Sequence, residues 1–243
     1  MIISSKSNPT IKKIASLAEK KYRKLYGLFL VESVKAVDEC LSSGMEAEEI
    51  VCTQDLSDKY PDAITVTDEL FERISTEKTP QGVLAAVKLP QRRLSRPNGS
   101  CLLLDRLQDP GNIGTIIRTA NAAGYTDIYL VNCADAYSPK AVRASMGGVF
   151  YVNLFEGGYD EVFKALEGIP LICADMSGED IFAFAAPERF CLCIGNEGGG
   201  VSDTVVNKSA YKVRIPMRET CESLNAGVSA AVAMYVLKNN LRR

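Results

Sequence analysis

Between residues 101 and 216 the chain carries six short runs that are apolar at most positions, at 101–105, 127–132, 150–155, 170–175, 190–195 and 212–216, with helical segments between them. A strand that is apolar on both faces must be covered on both, and strands separated by helices pair in parallel. The pattern therefore predicts an α/β domain with a mostly parallel sheet. Upstream, strand-like runs at 28–31, 49–53, 64–66 and 83–89, with a helix near 68–75, describe a smaller α/β unit. Between them lies LPQRRLSRPNGS (89–100), whose two prolines, Asn-Gly and three arginines read as a linker. The division expected is 1–95 and 96–243.

The amino terminus has its own logic. Asn8 and Pro9 suit an N-cap and a first helical position, and Ile11, Ile14, Leu17, Ala18, Tyr22 and Leu25 then recur at helical spacing, which predicts one helix ended by Gly27. A second amphipathic helix follows from Val34, Val37, Cys40 and Leu41 and stops at Gly44. Residues 1–30 hold seven cations against one anion, +6, so the remainder of a chain with net charge −2 carries −8. A basic arm on an acidic protein points towards a polyanion, although a solvated helix face would show the same charges.

Composition excludes whole classes of chemistry. Histidine is absent, which removes Ser/His/Asp hydrolases and most zinc enzymes. The eight cysteines form no CxxC pair and mostly sit in apolar runs, so buried free thiols are expected and no metal site. The longest uncharged helical stretch, 223–237, is shorter and more polar than the roughly 20 apolar residues of a membrane span. With no apolar leader at the start of the sequence either, a cytoplasmic protein without membrane contact is expected.

Three segments are over-specified for folding alone: DRLQDPGNIGTIIRTANAAG (105–124), CIGNEGGGVSD (193–203) and RIPMRETCESLNAGVSAAVAMY (214–235). Each begins at a strand end and enters a helix, where open α/β sheets bind ligands. In the first, Asn112 lies at the helix start and Arg118 falls off the apolar stripe of Ile113, Ile116, Ile117 and Ala120. In the second, four glycines surround Asn196 and Glu197, a spacing that is neither GxGxxG nor GxxxxGK[ST]. In the third, Ser223 and Asn225 open a helix rich in small residues.

Taken in order, NxGxxxR (Asn112, Gly114, Arg118), IGNEGGG (194–200), and IPM followed by ESLN (215–217, 222–225) resemble the three motifs of the SpoU-type, TrmH-like RNA ribose methyltransferases of the SPOUT superfamily. SNPTIKK, FLVES and TPQGVLA are similar to that family's substrate-binding module. The resemblance implies a small N-terminal α/β RNA-binding domain, a C-terminal α/β trefoil-knot methyltransferase domain, a homodimer, S-adenosylmethionine as methyl donor, and structured RNA as substrate, ribosomal before transfer RNA. It also implies roles. Gly195, Ile215 and Leu224, with Ala174 and Met217 on the same wall, belong to the donor pocket. Glu197, Ser223 and Asn225 set geometry at the reacting end, and Asn112 orients Arg118 beside the ribose hydroxyl and its phosphate. Lys12, Lys13, Arg23 and Lys24 are the expected RNA contacts of the basic arm.

The sequence departs from the family pattern at Arg218, Glu219 and Thr220, where glycine often follows IPM, and at Ser33, where FLVES usually has glycine. A non-catalytic RNA-binding or ribosome-associated protein on the same fold is the main alternative. A Rossmann-type oxidoreductase is a weaker one, since it lacks the GxGxxG loop.

Overall fold

The computed structural model describes residues 2–240. In chain order its elements are α1 (Pro9–Ser16), α2 (Lys20–Tyr26), β1 (Leu28–Glu32), α3 (Val34–Ser42), β2 (Ala47–Thr53), β3 (Ile64–Val66), α4 (Asp68–Ile74), β4 (Val83–Lys88), β5 (Cys101–Asp105), α5 (Pro110–Ala123), β6 (Asp127–Val131), α6 (Pro139–Ser145), β7 (Asn153–Glu156), α7 (Tyr159–Ala165), β8 (Leu171–Asp180), β9 (Cys191–Ile194), α8 (Asp203–Val206), β10 (Tyr211–Arg214) and α9 (Ala226–Asn240). They fall into two compact units. One comprises the chain up to Gln91 together with Tyr137–Phe150, and the other comprises Arg92–Ala136 and the chain from Tyr151 onward. No helix among the described residues is long and apolar enough to cross a membrane.

The first unit is built on a four-stranded sheet of order β1-β4-β2-β3, in which only β2 and β3 run parallel. Ile11, Ile14 and Leu17 turn inward onto Leu28, Leu30, Val51, Leu70, Phe71 and Leu84. Burying each such side chain is worth about 2 kcal/mol. Asn8 caps α1 as expected, accepting from the N–H groups of Thr10 and Ile11, with Pro9 at its first position.

The single helix expected up to Gly27 is instead two, broken after Ser16. Leu17 is fully buried at the break, whereas Leu25 is 65% exposed, so the apolar stripe read across both helices does not continue. The break is held by Arg23, only 3% exposed, whose Nη1 donates to the carbonyls of Leu17 at 2.7 Å and Ala18 at 2.8 Å. Those carbonyls lack helical partners, and the guanidinium supplies them. Gly27 ends α2 in the left-handed region at φ 65°.

The second unit is a six-stranded sheet of order β10-β8-β9-β5-β6-β7 with every neighbouring pair parallel. Successive residues of β5 and β6 are buried, which is the condition for a sheet covered on both sides. The chain starts centrally at β5, builds out through β6 and β7, then crosses to β8 and returns to insert β9 beside β5. That reversal places a switch point at the carboxyl ends of β5 and β9. All eight cysteines are free and six are buried, as their apolar surroundings suggested. Burial pushes the Cys40 thiol, and the half-buried Cys133 thiol, up to about 11, so both stay protonated and pack as small hydrophobes.

Candidate functional site

The first motif folds around the start of α5. Asp109 caps the helix by accepting from the Gly111 N–H at 3.1 Å, and Pro110 takes the first position, where no donor is needed. This leaves the N–H groups of Gln108 and Asp109 pointing outward, and the Glu197 carboxylate receives them at 3.4 and 3.3 Å. Asn112 Nδ2 donates to the same carboxylate at 2.9 Å, and Asn112 Oδ1 accepts from Asn225 Nδ2 at 2.8 Å. Asn225 Oδ1 in turn caps α9, accepting from Gly227 N–H at 2.9 Å and Val228 N–H at 3.3 Å. One chain of hydrogen bonds therefore joins all three motifs, and its donors and acceptors alternate without conflict.

Electrostatics follow from that arrangement. Burial pushes the Glu197 carboxyl up, but hydrogen bonds from Asn112 and from the backbone of Glu197, Gln108 and Asp109 outweigh it and hold the group below its ordinary 4.5. A carboxylate at the start of α5 also complements the positive end of that helix.

The glycine loop is equally constrained. Asn196 and Gly200 exchange two backbone hydrogen bonds of 2.9 Å, and Asn196 Oδ1 accepts from Gly198 and Gly199 at 2.9 and 3.0 Å. Gly195 lies so close to the returning chain that a Cβ there would sit 2.1 Å from the Gly200 carbonyl carbon. Beneath the loop, Asp105 is fully buried and accepts from Ser202 N–H at 2.6 Å and Tyr159 Oη–H at 2.7 Å. A buried carboxylate so satisfied ties the end of β5 to Ser202, where the chain leaves the loop.

Beside the loop is a cavity of about 410 Å³ at the ends of β8, β9 and β10. Ala174, Gly195, Ile215, Met217 and Leu224 all line it, as do Glu197 and Ser223. Five residues proposed for a donor wall from three separate stretches of sequence thus meet at one cavity. Asp175 and Glu222 also line it; nothing in the sequence marks Asp175, and Glu222 enters there only as the first residue of ESLN. Hydrogen bonds from Ser177 hold the Asp175 carboxyl below its ordinary value. Asp175, on β8, stands in no recognisable spacing, and only the fold brings it to the same cavity as Glu222.

The remaining expected residues divide. Arg118 is exposed on α5, lies outside the cavity lining, and makes no ion pair among the described residues. Asn112 uses both ends of its amide on Glu197 and Asn225, so the expectation that it orients Arg118 is corrected. On the basic arm Lys12 and Lys24 are exposed, while Lys13 pairs with Glu48 at 2.5 Å. Arg23 is corrected as an RNA contact, since its guanidinium is buried at the helix break.

Residues 99–235 match the SpoU rRNA Methylase family, and residues 8–85 match the MRM3-like substrate binding domain. The chain is 31% identical to the 23S rRNA (guanosine(2553)-2′-O)-methyltransferase RlmP of Bacillus subtilis (strain 168), over 97% of this chain and 98% of that protein. An AdoMet-bound rRNA methyltransferase from Sinorhizobium meliloti superposes with a TM-score of 0.89 at 25% identity, covering 99% of this chain and 98% of that one. The SpoU methyltransferase AviRb from Streptomyces viridochromogenes, in complex with AdoMet, gives 0.86 at 27% identity, covering 96% and 97%. With its family match spanning more than half its length and its three motifs hydrogen-bonded into one site, the chain belongs to the SpoU rRNA methylase family.

Proposed function

We propose that the chain transfers a methyl group from S-adenosylmethionine to a ribose 2′-hydroxyl of ribosomal RNA, as a cytoplasmic homodimer with a trefoil-knotted donor domain. The convergence of Ala174, Gly195, Ile215, Met217 and Leu224 on one cavity carries the reading, because their clustering is independent of their spacing in sequence. The residues present suit the donor. Ile194, Ile215, Met217 and Leu224 offer apolar walls for an adenine, and Asp175 and Glu222 are acceptors for ribose hydroxyls. When bound, the donor supplies an electrophilic methyl on a positively charged sulfur.

This chain's residues supply position and charge. A ribose hydroxyl is a weak nucleophile at neutral pH, so catalysis rests on orienting it, removing its proton and stabilising the charge that develops. Glu197 is held ionised by Asn112 and the α5 backbone and places a negative charge at the cavity edge. Asn112 and Asn225 fix that carboxylate and the start of α9 in one geometry. Ser223 lines the cavity with a hydroxyl next to Leu224. Arg118 is free of ion pairs among the described residues, and it serves the phosphate beside the target ribose. Guanidinium normally stays protonated, so its role is charge stabilisation rather than proton abstraction.

Exposed apolar residues on α9, Val228 at 48% and Tyr235 at 53%, favour the homodimer, and light scattering should show twice the chain mass. Mapping 2′-O-methyl sites across total RNA with and without the protein tests the activity. One ribosomal site should depend on the chain; no dependent site, or one confined to transfer RNA, would overturn the assignment. S-adenosylhomocysteine at one hundred times its dissociation constant should stabilise the fold by roughly 2.7 kcal/mol, with no effect of NADH.

A further inference from the structure

The first unit encloses a second cavity, of about 310 Å³, which shares no residue with the donor site. Its apolar surface comes from Leu30, Ala36, Val142 and Phe150, with Met146 at 53% exposure on its edge. Part of the wall is the segment Tyr137–Phe150, which joins this unit although it follows β6 in sequence. Tyr137 anchors it against Phe29, ring centroids 5.0 Å apart.

Three carboxylates line the cavity, and two are already committed. Glu32 accepts from Ser75 Oγ–H at 2.6 Å and from the Thr76 N–H at 3.0 Å, and Glu77 is paired with Arg143. Glu39 is different. It is half-buried, and its carboxylate has no hydrogen bond or ion pair among the described residues. Its carboxyl lies against Gly147, where a Cβ would come within 2.5 Å. The backbone around it is strained: Ser33 (φ 90°) and Met146 (φ 47°) are two of the four non-glycine residues with positive φ among those described. Such conformations persist where surrounding structure enforces them, commonly at binding sites. Lys35 stands exposed at the cavity with no ion-pair partner among the described residues, and the Arg143 side chain is 46% exposed.

An apolar slot with an unmet carboxylate and cations at hand selects a flat ligand with N–H donors on one edge and a phosphate beside it. Among the RNA bases, only guanine presents two adjacent donors, N1–H and the N2 amine, to a carboxylate that can only accept. Adenine and cytosine set an acceptor beside their amine, and uracil flanks its single N–H with carbonyls. We propose that this cavity receives an unstacked guanine of the RNA substrate, with Glu39 reading its Watson–Crick edge and Lys35 and Arg143 meeting the adjoining phosphate. The inference rests on RNA as the substrate, but it concerns a recognition site separate from methyl transfer.

The test is an NMR titration of the full chain with each 5′-nucleoside monophosphate, with saturating S-adenosylhomocysteine to occupy the donor cavity. GMP at millimolar concentration should shift the Ala36, Val142 and Met146 methyl signals, with AMP, CMP and UMP binding at least about tenfold more weakly. Glu39→Gln, nearly isosteric, should erase the preference for GMP, and Ala36→Leu, which fills the slot, should abolish the shifts. Absence of GMP shifts, equal binding of all four nucleotides, or an unchanged preference in Glu39→Gln overturns the proposal. Methyl incorporation into total RNA is read on the same protein. Incorporation without GMP shifts removes the guanine site and leaves the methyltransferase reading standing. GMP-selective shifts without incorporation do the reverse.

Discussion

The two cavities handle their polar groups in opposite ways. Around the cavity at the ends of β8, β9 and β10, Glu197, Asn112, Asn225, Asn196 and Asp105 are satisfied by one another, by backbone and by Tyr159, so that network is complete before any ligand arrives. In the first unit the frame is completed by a segment from later in the chain and still leaves Glu39 unmet. The difference separates a preorganised surface, suited to a fixed small molecule and a demanding geometry, from one that a ligand must finish.

A pair of glycine substitutions sets the two cavities against each other most severely. Gly195→Ala drives a Cβ into the Gly200 backbone, which cannot rotate away, so S-adenosylhomocysteine affinity by calorimetry should fall more than about 100-fold and the melting temperature should drop with it. Gly147→Ala meets the movable end of Glu39 instead, although φ 82° adds strain. It should cost about 1 kcal/mol in denaturant unfolding and leave donor affinity intact. Equal losses in the two variants would erase the distinction between a rigid and an unfinished frame.

Arg118 tests whether the preorganised site needs a group from outside its lining. Arg118→Lys keeps the charge but loses the planar fork, and Arg118→Ala loses both. Each should reduce single-turnover methylation about 100-fold with donor affinity nearly unchanged. A near-native rate in either would return Arg118 to an ordinary surface charge.

Arg23 and its exposed neighbours sharpen the contrast within the basic arm. Arg23→Ala leaves two carbonyls at the helix break unsatisfied and should cost about 2 kcal/mol of stability without altering the salt dependence of RNA binding. Lys12→Ala and Lys24→Ala should do the converse, each making the slope of log K against log salt shallower by about one while stability holds.

The smallest effect is a pH dependence. The folded Glu197 carboxyl lies below its unfolded value, so its stabilising contribution is present above the unfolded value near 4.5 and is lost as pH falls through the folded one. Glu197→Gln should therefore lower the melting temperature slightly at neutral pH, with the gap closing in acid. A gap that widens in acid would contradict the hydrogen-bonded carboxylate.

Sequence alone determined the alternation of strands and helices, because a doubly covered strand must be apolar throughout and a cap or a left-handed glycine acts locally, as at Asn8 and Gly27. It also determined the three ordered motifs, and with them the family. Only the tertiary structure decided the break after Ser16, since a stripe of spacings cannot show that Arg23 folds back onto Leu17 and Ala18. The same holds for Asn112 bonding Glu197 and Asn225 rather than Arg118, and for Asp175 and Glu222 lining the cavity at the ends of β8, β9 and β10. It holds too for Tyr137–Phe150 walling a cavity in the first unit. Periodicity and capping are properties of neighbours along the chain, whereas the Arg23 fold-back crosses a helix break and the site contacts of Asn112 join residues 85 and 113 positions apart, and only packing selects which of them form.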